Sequence, residues 1–166
     1  MSVKIREICE NDKEIFLELT SDLSQFNRQR HEEKSKYDDY GRVLENIKRR
    51  ALETFENKDD GFTYIILAEY HQTVVGYGLA RIYDEEATAD NGTGKTGLID
   101  ELFVVESARG QGIGQMLLNA CINWLKASGI RRVKLHAYSW NGGAKYLYKR
   151  NGFTAYALSY EKWLED

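Results

Sequence analysis

A chain of 166 residues, 42% apolar and 30% charged, suits a single domain that buries about two thirds of its extended surface around one core without staples. No apolar run approaches the ~18 residues of a membrane span and no basic-then-apolar leader opens the chain, so a membrane partner is excluded and a cytoplasmic location expected. A net charge of −3 argues against nonspecific nucleic-acid binding, which draws on clustered Lys and Arg, and leaves cationic small molecules as suitable partners.

In chain order, Val3 to Ile8 reads as a first strand. Asn11 or Asp12 then caps a helix bearing Ile15, Phe16, Leu19, Leu23 and Phe26 on one face. After a polar break a second helix is expected over 36–57, with Tyr40, Val43, Leu44, Ile47, Ala51 and Phe55 aligned, and the two helices should cover one face of a sheet. Phe62 to Tyr70 and Thr73 to Tyr83 are β-rich runs joined only by His71-Gln72, an antiparallel hairpin, with Gly76 and Gly78 pointing to a bulge or a close backbone approach. The polar stretch 84–95 is a loop carrying Asp84, Glu85, Glu86 and Asp90. Cys9, in the first strand, and Cys121, on the apolar face of a later helix, read as small core residues. Neither has metal-ligand spacing, so no metal is expected.

Leu102 to Val105 form a short buried strand, and Arg109-Gly110-Gln111-Gly112-Ile113-Gly114 follows it directly. Behind these glycines Met116, Leu117, Ala120, Cys121, Trp124 and Leu125 repeat at helical spacing with Ile113. Glycines before a helix let amides approach a ligand closely, and the first helical turn leaves unpaired N–H groups at the positive end of the dipole. Such a turn is an anion cradle. It lacks the Lys-Ser/Thr of a nucleotide-triphosphate loop and is one residue short of the dinucleotide fingerprint. A parallel strand over 133–138, a helix over 141–150 stopped by Asn151-Gly152, and a returning strand or strand pair over 153–164 complete the chain.

The glycine segment resembles the pyrophosphate loop of the GNAT superfamily of acetyl-CoA-dependent N-acetyltransferases. A second segment, Asn141, Ala144, Leu147-Tyr148 and Gly152-Phe153, resembles that family's later Asn-x-x-Ala-x-x-Leu-Tyr pattern. The resemblance implies one α/β domain over 1–166, a mixed sheet of six to seven strands with about four helices, and central strands splayed to admit the cofactor. It implies acetyl-CoA as co-substrate, held by residues 110–114 with Arg109 as a further contact. Leu102, Phe103 and Val104 would pair with the pantetheine arm, and Asn141 would bond it. The residue before the loop's entry is Glu106 where the family often has proline.

The resemblance also implies transfer to a primary amine by direct attack in a ternary complex. Tyr148 is the candidate acid for the leaving thiolate, since a phenol can donate at neutral pH. An ammonium acceptor must first lose a proton, and Asp100 and Glu101 are the candidate bases. They are expected on opposite sides of the strand, with Glu101 sharing a face with Phe103 and Val105. The acidic loop suggests a small cationic acceptor, polyamine or aminoglycoside-like. Protein or peptide amines, and a silent acetyl-CoA-binding module, are the alternatives, and a homodimer is left open.

Overall fold

The two periodicities become helices and strands in the expected order: β1 (Lys4–Glu7), α1 (Lys13–Arg30), α2 (Tyr40–Glu56), β2 (Thr63–Tyr70), β3 (Thr73–Asp84), β4 (Lys95–Val104), α3 (Ile113–Ala127), β5 (Val133–Leu135) and α4 (Gly142–Arg150). The computed structural model describes residues 2–31, 39–85 and 94–164. The start of the expected second helix before Asp39, and Glu86 and Asp90 of the acidic loop, lie outside the described residues. The chain divides into two compact units, one ending at His136 and one beginning at Ala137.

In the first unit the strands lie in the order β1-β2-β3-β4-β5. All neighbours are antiparallel except β4 and β5, which run parallel through the α3 crossover. One face of the sheet meets α1 and α2 in a core of Phe16, Leu19, Ala51, Phe55, Ile65, Leu67, Tyr77, Leu79 and Phe103. Removal of these apolar surfaces from water, at about 25 cal/mol per Å², is what holds two amphipathic helices on a sheet that their own propensities would not attract. The other face takes α3, whose Cys121 approaches β3 where Gly78 has no side chain.

β2 and β3 turn at His71 and Gln72, both left-handed with φ of 51° and 64°, the conformation of a primed two-residue hairpin. Gly76 is needed for a close approach: a Cβ there would lie 2.5 Å from the Phe103 carbonyl oxygen. A bulge on β3 falls beside it, between the partners of Ala68 and Glu69. Asp12 stands at the N-cap of α1, yet its carboxylate is turned back to Arg6, at 2.8 and 2.9 Å, and to the Cys9 N–H at 2.8 Å. The Arg6 guanidinium holds that carboxyl well below the usual range. Arg6 also donates to Glu69 at 2.9 Å and so ties β1 to β2.

Three expectations need correction. The sheet has five strands among the described residues, not six to seven: 153–164 forms no ladder, and Tyr156, Leu158 and Tyr160 of that alternating segment stay exposed. A strand is defined by its hydrogen-bonded neighbour, which side-chain alternation does not supply. The parallel strand stops at Leu135 rather than 138. Cys9 lies beyond β1 and is exposed, whereas Cys121 is fully buried.

Candidate active site

β4 pairs with β5 only from Gly97 to Ile99, then continues five residues further while remaining in register with β3. Val105 N–H donates to Val75 O at 2.9 Å, so in the antiparallel alternation Phe103 also turns its backbone toward β3, and Leu102 and Val104 turn theirs to the opposite edge. Beyond Ile99 no strand pairs with that edge among the described residues. The structure therefore separates three residues expected to act alike. Leu102 offers its amide and carbonyl, and Val104 its amide, along a strand edge that no strand pairs among the described residues, whereas the Phe103 backbone is paired and its ring is buried in the core.

The glycine loop begins five residues after β4. Gly110 and Gly112 are left-handed, with φ of 77° and 78°, a region L side chains rarely adopt, and a Cβ at either would meet nothing within 4 Å. Gly112 is the N-cap of α3, and the first helical bond runs from Met116 N–H to Gly112 O at 3.1 Å. The amides of Ile113 and Gly114 precede that bond and sit at the positive helix end. Arg109 differs from expectation: its Nε donates to the Val104 carbonyl at 2.8 Å and its guanidinium lies 4.4 Å from the Phe26 ring centroid. Its side chain is thus engaged with β4 and α1 rather than with the loop.

Asp100 and Glu101 do not lie on opposite sides. Leu79 pairs with Glu101 and Ala80 with Ile99, which leaves Asp100 as the extra residue of a bulge. Both carboxylates reach the face covered by α1 and α2. Asp100 accepts from Arg81 Nε at 2.9 Å, and that guanidinium also donates to Thr54 Oγ1 of α2 at 2.7 Å. Glu101 Oε2 accepts from the Tyr77 hydroxyl at 2.5 Å, and no other hydrogen bond or ion pair engages Glu101 among the described residues. Burial pushes the Glu101 carboxyl above the ordinary carboxylate value, with the Asp100 charge adding to the effect and the Tyr77 bond opposing it. An ionisable carboxyl on the sheet, raised in pKa and with one oxygen uncommitted, is suited to take a proton from an ammonium group.

Among the acids of the loop entering β4, Glu85 is paired with Lys134 and accepts from Thr96 Oγ1 at 3.0 Å, whereas Asp84 is exposed. Glu85 is thus neutralised by a β5 lysine, and Asp100 by Arg81.

In the second unit, Asn141 Oδ1 accepts from Ala144 N–H at 3.1 Å as the N-cap of α4, which leaves its amide nitrogen as the remaining donor. Tyr148 packs edge-on against Phe153, with ring centroids 6.0 Å apart. Its hydroxyl makes no hydrogen bond among the described residues, and burial pushes its pKa up, so the proton stays on at neutral pH. Tyr146 is 68% exposed and points away from that packing.

The model of the Acetyltransferase (GNAT) family matches residues 16–153, which include the bulged strand, the left-handed glycine loop and both later motif residues. The chain belongs to the GNAT acetyltransferase family. It is similar to the thialysine N-epsilon-acetyltransferase of Mus musculus, 27% identical over 172 aligned positions that cover 98% of this chain and 90% of the mouse protein. A shorter match, 38% identical over 63 residues, is to the mycothiol acetyltransferase of Beutenbergia cavernae. It takes in 38% of this chain and only 21% of that longer protein. In fold the chain is similar to a predicted acetyltransferase with acetyl-CoA from Clostridium acetobutylicum. There the TM-score is 0.69 and the identity 20%, over 99% of this chain and 95% of the other.

Sequence reasoning about the acetyltransferase missed Tyr77, which lies in the β-rich run Thr73 to Tyr83 with no motif to single it out. Its signal was the hydroxyl: a tyrosine between two glycines, in phase with Leu79, in a strand expected to be buried needs an acceptor for its O–H. Finding that acceptor required the register of β3 on β4, including the bulge.

Proposed function

We propose that the acetyltransferase moves the acetyl group of acetyl-CoA to a primary amine, with Glu101 taking the amine proton and Tyr148 protecting the departing sulfur from carrying charge. The observation that carries this reading is Glu101, raised in pKa and held by one oxygen, on the strand whose open end leads into the glycine loop. The loop fits the cofactor: two left-handed glycines with open space where side chains would stand, at the positive end of α3.

When bound, acetyl-CoA supplies an acetyl group on sulfur: the C–N bond to the acceptor forms, the C–S bond breaks, and the thiol leaves. The amides of residues 110–114 would hold the pyrophosphate, and Leu102, with the Val104 N–H, would pair with the pantetheine arm along the edge of β4. The Val104 N–H would also support the thioester oxygen as charge develops. Asn141 would bond the arm through its amide nitrogen, a role that rests on the motif it shares with the family. Glu101 accepts the acceptor's ammonium proton, and Asp100, neutralised by Arg81, is left a supporting role. Tyr148 gives its phenolic proton to sulfur, a role that rests on the motif it shares with the family. Because that motif and the glycine loop belong to one family match, residues 1–166 are read as one acetyltransferase domain of the cytoplasm.

The acceptor in this reading is a small cationic amine, polyamine or aminoglycoside-like. The name of the mouse relative, which specifies N-ε-acetylation of thialysine, supports a small-molecule amine. With Glu85 and Asp100 internally paired, attraction for a second ammonium group falls to Asp84 and the undescribed acids, so the preference for polycations over a monoamine should be modest and sensitive to salt.

Gly112→Asp places a side chain at a left-handed φ and a negative charge in the cradle. It should weaken binding of CoA at least tenfold, by calorimetry, with circular dichroism showing the fold retained. Unchanged affinity would remove the loop from the cofactor site.

A further inference from the structure

Tyr77 occupies a position that packing alone would give to phenylalanine. Its ring is fully buried, edge-on to Phe16 with centroids 5.5 Å apart and tilted against Phe103 at 6.3 Å. A hydroxyl taken into such a core costs stability unless it finds an acceptor. The acceptor is Glu101 Oε2, at 2.5 Å, and no second partner of the tyrosine is present among the described residues. Because the ring packs against neighbours from α1 and β4, the position of the hydroxyl oxygen is set by the core, and its O–H is aimed by the one acceptor, Glu101.

The surroundings of Glu101 show what that bond does. Tyr77 faces it from β3. Asp100 stands beside it on β4 and disfavours its charge. Arg81 of β3, committed to Asp100 and Thr54, and Arg50 of α2 favour it. Arg81 and Arg50 act on Glu101 through space, without an ion pair to it among the described residues. Tyr77 is thus the group that both contacts the carboxylate and stabilises its charged form. Burial and the neighbouring carboxylate raise the phenol's own pKa, so it remains a donor throughout any useful assay range.

We infer that Tyr77 is a positioning residue for Glu101: its hydroxyl holds Oε2 and fixes the carboxylate plane, leaving Oε1 as the oxygen that receives the acceptor's proton. The inference rests on Glu101 being the base. In the step itself an N–H bond of the ammonium breaks and an O–H bond forms at Oε1. The electron pair left on nitrogen is the one that attacks, and the Tyr77 O–H bond stays intact.

The test is the pH dependence of kcat/KM for the wild type, Tyr77→Phe, Glu101→Gln and the double variant. A base works only when deprotonated, so the wild-type rate falls as pH drops through the pKa of Glu101. Removing a donor that favours the carboxylate raises that pKa, and the acidic limb of Tyr77→Phe should move to higher pH by about one unit or more, with CoA affinity unchanged. Glu101→Gln should abolish the limb and most of the rate, and adding Tyr77→Phe to it should cost nothing further. An unmoved limb in Tyr77→Phe, with Glu101→Gln inactive, would reduce Tyr77 to packing and overturn the inference alone. A limb and rate retained in Glu101→Gln would remove the base assignment and the inference with it. Should Tyr77→Phe fail to fold, the wild type still decides. The buried Tyr77 hydroxyl proton, shielded from exchange, should give a downfield proton resonance that shifts as Glu101 titrates and is altered in Glu101→Gln. A resonance indifferent to both would overturn the inference.

Discussion

Glu101→Gln should lower turnover by about 10²- to 10³-fold, the range expected when a positioned general base is removed. The amide has the shape of the carboxyl and its carbonyl oxygen still accepts from Tyr77, so packing on the α1–α2 face is kept and only the proton acceptor is lost. Two further results would accompany the loss. An acceptor amine of lower pKa, already partly neutral at assay pH, should recover part of the rate, because it needs the base less. The variant should also melt above the wild type at neutral pH. The folded-state pKa of Glu101 is raised, so its contribution to stability is full at low pH and is lost as pH rises through that value. A variant that is both less active and more stable shows a group kept for function against the preference of the core. Wild-type turnover in Glu101→Gln, by steady-state thiol release, would exclude Glu101 as base.

Tyr148→Phe is the second large effect. It removes one oxygen from a ring that keeps its edge-on contact with Phe153, and it should lower turnover about 10²-fold with acetyl-CoA affinity unchanged. The hydroxyl satisfies no other group among the described residues, so its loss should leave stability near that of the wild type. Equal turnover would leave Tyr148 a packing residue. A marked fall in melting temperature would instead reveal a structural acceptor for its proton.

The parts of the fold legible in sequence are those written in local chemistry. Apolar residues at helical spacing marked α1, α2 and α3, and Gly110 and Gly112 marked the turn into α3, because only glycine tolerates φ of 77° and 78° there at little cost. The hairpin at His71-Gln72 was legible from the two-residue gap between β-rich runs. What was not legible depends on register. Nothing in Ile99-Asp100-Glu101-Leu102 signals a bulge, since no glycine marks it, and strict alternation sends the two acids apart. One extra residue in the backbone brings both to the Tyr77–Arg81 face. The same kind of information places Arg109, which a loop motif assigns to phosphate and the structure turns onto Val104 and Phe26. For 153–164, alternation was present and the ladder was not, which separates a pattern compatible with a strand from the pairing that makes one.

These residues together make a single chemical claim, that a proton leaves an amine through Glu101 while an acetyl group leaves sulfur. Release of free thiol from acetyl-CoA, followed together with the mass of the acceptor across polyamines, aminoglycosides, amino acids and short peptides, tests it most directly. Thiol release matched one for one by an acetylated small amine, rising with pH through a raised carboxylate pKa, is the predicted result. Acetyl-CoA bound tightly with no thiol released for any amine at any pH would contradict it.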